Sequence, residues 1–238
     1  PKQISAVILE PVSSEKPEEG FLEKVKEITH KNGALLIFDE MVTGFRWALG
    51  GAQEYFGVIP DIACFGKAIS SGYPLATISG KAEYMKRMDE IFVSMTFGGY
   101  VPGLVAAIET IEMMIEYGDV HEHMHEIGEY LIDRGNDIFE KYNLPAKMVG
   151  YGPHPILKVS IADEYESLLF KSFIYQELNK SKIIFISSVL IGYLHTKDHI
   201  DLLLENLEKI CQKLSKFDDY KKIVDSLEGD VIASRTVR

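Results

Sequence analysis

Cysteine is almost absent from this 238-residue sequence: Cys64 and Cys211 are the only two, far apart and each in an apolar context. That excludes a disulfide framework and a C-x-x-C metal site, and it suits a reducing cytoplasm. Basic residues are also in deficit, 25 against 36 acidic ones, for a net charge of −11. Such a surface opposes non-specific binding to nucleic acid or to an anionic membrane. No apolar run is long enough to span a bilayer, and no basic-then-apolar leader precedes the first strand, so export is not expected. Internal repeats and low-complexity segments are missing too. What is present is a 46% hydrophobic chain, enough for one large or two modest domains, whose expected partners are small molecules or other proteins.

Strand-like and helical segments alternate through the first 110 or so residues. Ile4–Val12 reads as a buried strand, Ser13–Gly20 as a polar loop, Phe21–Lys31 as an amphipathic helix stopped by Asn32-Gly33, and Ala34–Asp39 as the next strand. This βαβ unit predicts a parallel sheet. Both faces of a fully apolar strand need cover, so material before Pro1 is expected in the same sheet. Asp61–Phe65 and Leu75–Ser79 read as further strands, Ala82–Asp89 as a helix and Gly103–Tyr117 as a buried helix.

After Gly118 the pattern changes. A polar helix over Val120–Tyr142 leads to short strands at Lys147–Tyr151 and Ile156–Ile161, a helix over Glu164–Leu178 and a β-rich Ile183–Leu194. Thr196 is placed to cap a last helix, whose Ile200, Leu203, Leu204, Leu207, Ile210, Cys211 and Leu214 form a core-facing stripe. A polar tail follows. The expected organisation is an α/β domain over 1–119 and a smaller α+β domain over 120–238.

Two stretches carry chemistry. In ALLIFDEMVTGFR, residues 34–46, Asp39 ends an apolar run, which puts its carboxylate at the C-terminal end of a parallel strand, where open α/β sheets hold ligands. In ACFGKAISSG, residues 63–72, Lys67 occupies the corresponding end of the next strand. Each has a plainer reading: Asp39 capping a neighbouring helix or pairing with Arg46, Lys67 as a solvated surface group. Together they suit one cofactor. A lysine in a partly dry pocket becomes a nucleophile for aldehydes, and pyridoxal phosphate needs both such a lysine and an acid that keeps its ring nitrogen protonated.

The run LIFDEMVTGFR followed by DIACFGKAISSG resembles, over residues 36–71, the signature of class III pyridoxal-phosphate-dependent aminotransferases, and weaker similarity extends from Ile4 to about Lys216. FRWALGGAQEYFGVIPDIACFGK is most similar to the glutamate-1-semialdehyde 2,1-aminomutase branch of that family. Val42 agrees with that branch, since the ornithine and 4-aminobutyrate branches usually carry Gln there. The resemblance implies a fold type I transferase whose mainly parallel sheet belongs to a large domain only partly represented, with a smaller C-terminal α+β domain. The family's N-terminal half, which carries the phosphate loop and the ring-stacking aromatic, is absent; the C-terminus is expected to be complete.

Residue by residue, the resemblance makes Lys67 the Schiff-base lysine and proton shuttle, Asp39 the partner of the pyridine nitrogen, and Met41 a packing group on the ring face. Thr96 in SMTFGGYVPG matches a threonine that reaches the cofactor phosphate of the neighbouring subunit, which implies a homodimer. Glu10 in ILEPV matches a glutamate near the site. The family's TFSGNP reads TFGGYVP here and its GGGxPxGA reads SSGYPLAT, so the substrate side departs from the pattern. The expected activity is amino-group transfer within one molecule. The alternatives are a two-substrate aminotransferase acting on an amino-sugar, a surface-polymer precursor or another amine, and a non-catalytic fragment or assembly partner.

HEHMH at residues 121–125 satisfies the zinc-peptidase pattern H-E-x-x-H, but it lies in a charge-rich helix with no clear third ligand and reads as a solvated helix face. His195, just before the cap, reads as a packing or capping group that is also placed to line a substrate pocket. The pairs Gly50-Gly51 and Gly98-Gly99 read as turns.

Overall fold

The computed structural model describes residues 3–13, 15–217 and 219–233, arranged in two compact units, residues 1–122 and 123–238. Position 14 of the Ser13–Gly20 loop and the last five residues of the expected tail lie outside the described residues.

The first unit is built on a four-stranded sheet in the order β1 (Ala6–Leu9), β2 (Leu35–Asp39), β3 (Ile62–Phe65), β4 (Thr77–Gly80). β1 pairs with β2 and β2 with β3 in parallel, as the helix α1 (Phe21–Lys31) between β1 and β2 requires. β4 is antiparallel to β3. The short connection between β3 and β4, which carries Lys67, leaves no room for a helical crossover back to the starting edge.

Alternation along the strands gives the sheet two unlike faces. Leu36 and Phe38 pack with Leu22 and Val58, while Ala63 and Phe65 pack with Ile69 and with Ala107 of α4 (Val101–Tyr117). The opposite face carries Ile8 and Ile78, 62% and 51% exposed, with Ile37, Ile62 and Cys64 half-buried between them. Among the described residues the strands expected to be covered on both faces are covered on one. α4 departs from expectation in the same way: only Gly103 and Ala107 are buried, and Val101, Leu104, Val105 and Ile108 are exposed. Apolarity registers a demand for burial, not which stretch of chain meets it. The helix expected over Ala82–Asp89 is one turn of α-helix, α3 (Ala82–Met85), running into a 3₁₀ turn. A further short helix, α2 (Ala52–Tyr55), had no periodic signal because one turn is too short to show one.

The second unit holds the hairpin β5 (Ala146–Tyr151) and β6 (His154–Val159) with α5 (Val120–Lys141) from His123 onward, α6 (Glu164–Lys180), α7 (Lys197–Leu214) and α8 (Tyr220–Ser226). The α7 stripe is buried as expected, and the Thr196 N–H donates to His199 Nδ1 at 3.1 Å to close the first turn. α5 runs against the hairpin turn so closely that a Cβ on Gly128 would lie 1.6 Å from the Gly152 carbonyl oxygen. The β-rich segment Ile183–Leu194 forms no full strand. Ser187 O accepts from Leu157 N–H and Val189 N–H donates to Pro155 O, leaving a single bridge between Ile156 and Ser188. Pro155 has no N–H with which to extend the ladder. The expected polar tail contains α8, whose Ile223 is buried and whose end is tied to α6: Gln176 donates to Ser226 O at 3.0 Å and accepts from Glu228 N–H at 2.7 Å. Among the described residues no helix is long and apolar enough to cross a membrane.

Candidate functional site

The expected residues gather, with one exception, at the C-terminal edge of the first unit's parallel strands. Asp39 is the last residue of β2 and faces Cys64 of β3 in register. Alternation sends its half-buried carboxylate to the open face of the sheet and sends the next residue, Glu40, into the covered face. Glu10 follows β1 and is exposed; the pairing of Leu9 with Phe38 brings it level with Asp39. Lys67 follows β3 after one glycine.

Lys67 is held in an unusual way. Its φ of 48° lies in the left-handed region that side chains other than glycine seldom occupy, and Ser71 ends the same 3₁₀ turn at 46°. Such backbone persists where the surroundings over-determine it, and it clusters at functional sites. The Lys67 side chain is exposed, and no ion pair among the described residues engages it. The partly dry lysine pocket expected from the sequence is therefore not formed by the described residues. The strand run before Lys67 fixes its position, but among the described residues no packing against it excludes water.

Met41 joins the two loops. Its N–H donates to Asp39 Oδ1 at 3.0 Å, and its side chain lies where a Cβ on Gly66 would come within 2.5 Å of Cε and 2.9 Å of Sδ. Glycine at 66 thus admits the thioether beside Lys67. Burial, then the Asp39 charge, push the Cys64 thiol upward from its ordinary range. Thr96 is the exception: it lies in the exposed segment 91–99, and no described hydrogen bond ties it to Asp39 or Lys67.

Two buried carboxylates were missed in the sequence. Glu40 is fully buried and accepts from the N–H groups of Ala52 and Gln53, each at 2.8 Å, and from the Thr43 hydroxyl. The signal available was the opposite facing of adjacent residues at a strand end, together with Gly50-Gly51 opening the α2 turn. Asp61, 1% exposed, accepts from Lys81 at 2.6 Å and Leu36 N–H at 2.8 Å, and bonds to His30 at 2.8 Å. Burial pushes the Asp61 carboxyl up, but the Lys81, Leu36 and His30 hydrogen bonds outweigh it and hold it at about 2.

The rival motifs take structural parts. In HEHMH, His123 Nε2 bonds to the His195 carbonyl oxygen at 2.8 Å, and its ring meets Tyr193 edge-on. His195 Nδ1 accepts from Gly192 N–H at 2.9 Å, closing the turn before α7, and His195 also lines a cavity of about 770 Å³ with Ile183, Leu190 and Leu203. Among the described residues no group of three His, Cys, Asp or Glu side chains is placed to hold a metal ion.

Residues 1–211 match the family model for class III aminotransferases. A glutamate-1-semialdehyde 2,1-aminomutase of Methanosphaera stadtmanae is 32% identical over 232 residues, covering 90% of this chain and 54% of its own. The glutamate-1-semialdehyde 2,1-aminomutase 2 of Lachnoclostridium phytofermentans is 39% identical over 157 residues, 63% of this chain and 37% of its own. The chain therefore spans about half the length, or less, of these curated relatives. Among solved structures, an omega-transaminase from Sphaerobacter thermophilus superposes with a TM-score of 0.77 at 22% identity, over 87% of this chain and 51% of its own. A transaminase with PLP bound gives 0.80 at 18% identity, over 89% and 53%. These likenesses agree with the fold type I arrangement of a partial, mainly parallel sheet beside α+β elements. The chain belongs to the class III aminotransferase family.

Proposed function

We propose that the protein is a pyridoxal-phosphate-dependent enzyme that moves an amino group in the manner of a glutamate-1-semialdehyde 2,1-aminomutase. The first unit would be the C-terminal part of the large cofactor-binding domain and the second unit the small C-terminal domain. The observation that carries this reading is the junction of Asp39, Met41, Gly66 and Lys67: an acid and a left-handed lysine on adjacent parallel strand ends, joined by a thioether that lies where a Cβ at position 66 would stand.

The residues present fit the cofactor. Pyridoxal phosphate, when bound, supplies an aldehyde for an amine and a ring that draws electrons from the substrate. Asp39 has one carboxylate oxygen on Met41 N–H and would use the other to hold a proton on the ring nitrogen. Met41 would lie against the ring. Lys67 Nζ would anchor the aldehyde and, once released, take up and return a proton on the substrate. Glu10 would stand at the rim beside Asp39. Thr96 would reach the cofactor phosphate of a second copy, so a homodimer belongs to the proposal; its exposed position supports that part. A cytoplasmic location is supported by two unpaired cysteines, one half-buried and one buried.

The test is the absorbance spectrum of the purified chain with pyridoxal phosphate, followed by borohydride reduction and peptide mapping. A new visible band with label on Lys67, both lost in Lys67→Ala, is expected. Label elsewhere, or none, overturns the reading. Turnover without an added amino donor supports the aminomutase; dependence on a donor assigns a two-substrate aminotransferase instead.

A further inference from the structure

Glu40 has surroundings that a merely space-filling side chain would not need. It is 0% exposed, and burying a carboxylate costs several kcal/mol unless donors meet it. Here three donors meet it. Oε2 accepts from Ala52 N–H and the Thr43 hydroxyl, and Oε1 from Gln53 N–H. The backbone also gives way to this carboxylate: Gly51 stands at φ 85°, and a Cβ there would lie 2.6 Å from Oε2. The main chain of Glu40 is fixed as well, its N–H donating to Cys64 O at 2.9 Å and its carbonyl accepting from Gly44 N–H at 2.8 Å.

One residue is thus bonded at once to β3, to the turn after β2 and to the start of α2. Its two neighbours are Asp39 and Met41, the residues that meet each other through the 3.0 Å hydrogen bond and meet the Lys67 loop through Gly66. A residue so fixed leaves those neighbours little freedom to turn. We infer that Glu40 is a positioning residue: its buried carboxylate sets the Asp39 carboxylate and the Met41 thioether in register with Lys67. The inference rests on the proposed function for the meaning of that register, and on the hydrogen bonds alone for its mechanics.

All three partners are donors, so glutamine is a poor replacement: its amide nitrogen must face a donor, whichever way it turns. Glu40→Gln in the full chain should speed amide hydrogen exchange at Met41, Ala52 and Gln53 at least ten-fold beyond the general increase. Glu40→Asp should recover part of that protection. Asp61→Asn removes an equally buried carboxylate of the same unit and should speed exchange there without singling out Met41. Should Glu40→Gln not fold, Thr43→Val removes one donor and should give a smaller increase at the same three amides. Exchange that rises evenly through the unit, or leaves Met41 unmoved, overturns the inference. A second readout bears on the cofactor: Glu40→Gln should weaken pyridoxal phosphate binding about ten-fold and shift the pH midpoint of its visible band, and Asp61→Asn should do neither. If the unmodified chain gives no band, the proposed function fails while the exchange result still decides the role of Glu40.

Discussion

The two units solve the problem of a stable interior differently. Of the six buried polar or charged residues described, Thr29, Glu40, Thr43, Asp61 and Ser70 lie in the first unit and only Ser172 in the second. The second unit is closed mainly by apolar contacts, among them Leu131, Phe139, Leu157, Ile174, Leu178 and the α7 stripe. Most of the large hydrophobic side chains left exposed also belong to the first unit, along the open face of its sheet, segment 91–99 and α4. A region that must hold side chains at set positions on loops needs directional bonds, because hydrophobic contact has no direction. A region that only has to be compact does without them. Glu40 and Thr43 lie beside the loops of the candidate site, where direction is needed, while Asp61 ties the opposite edge of the sheet, where β2 and β3 begin, to His30 of α1 and to Lys81.

The comparison can be broken first in the second unit, at its closest approach. Gly128→Ala forces a methyl group into the backbone at Gly152, and overpacking of this kind should cost about 3 kcal/mol of stability. A loss of helical circular dichroism at lower urea concentration would register it. Because Trp47, the sole tryptophan, is buried in the first unit, its fluorescence reports that unit separately and should move less. Equal shifts in both signals would show that the two interiors fail together.

A smaller effect should come from the first unit's buried carboxylate. The Asp61 carboxyl lies at about 2 in the folded chain, against roughly 3.9 for an unfolded aspartate. A depressed carboxyl stabilises the fold above the unfolded value, and that stabilisation is lost as pH falls from about 4 to about 2. Asp61→Asn should therefore cost about 2 kcal/mol at neutral pH, seen as an earlier Trp47 transition, and the gap to the unmodified chain should close by pH 2. A gap that persists at pH 2 would assign the loss to packing instead. Glu177 in the second unit is likewise held at about 2; burial pushes it up, but Lys213, then Lys180 and Gln176, outweigh that. Those lysines are exposed, so Glu177→Gln should cost less than Asp61→Asn.

The smallest change sharpens the description of the second unit. Thr196→Ala removes the helix cap of α7 but leaves the buried stripe, so thermal unfolding should register about 1 kcal/mol and no change in the Trp47 signal.

Much of the architecture was legible in advance. The alternation of strand and helix around Asn32-Gly33 announced a parallel pair, and the spacing of Ile200 to Leu214 announced a buried stripe behind a threonine cap. β4 was legible as a strand but not in its direction, which depends on the length and path of the loop through Lys67. Ile183–Leu194 has strand propensity throughout, yet the neighbour it pairs with carries Pro155, a fact about the partner and not about the segment. α4 shows the same limit: its apolarity was plain, but whether this chain supplies its cover was not.

Within the candidate site, the sequence by itself determined the chemical types at the strand ends: an acid at Asp39, a lysine at Lys67, a thioether at Met41 and a glycine at 66. Each follows from where an apolar run stops and which residue comes next. Only the tertiary structure decided that Met41 lies over Gly66, that Lys67 stands in the left-handed region, and that Glu40 turns inward to meet three donors while Asp39 turns outward. Those facts depend on residues distant in the chain being fixed at hydrogen-bonding range, and local sequence cannot encode a distance that the packing of other elements sets.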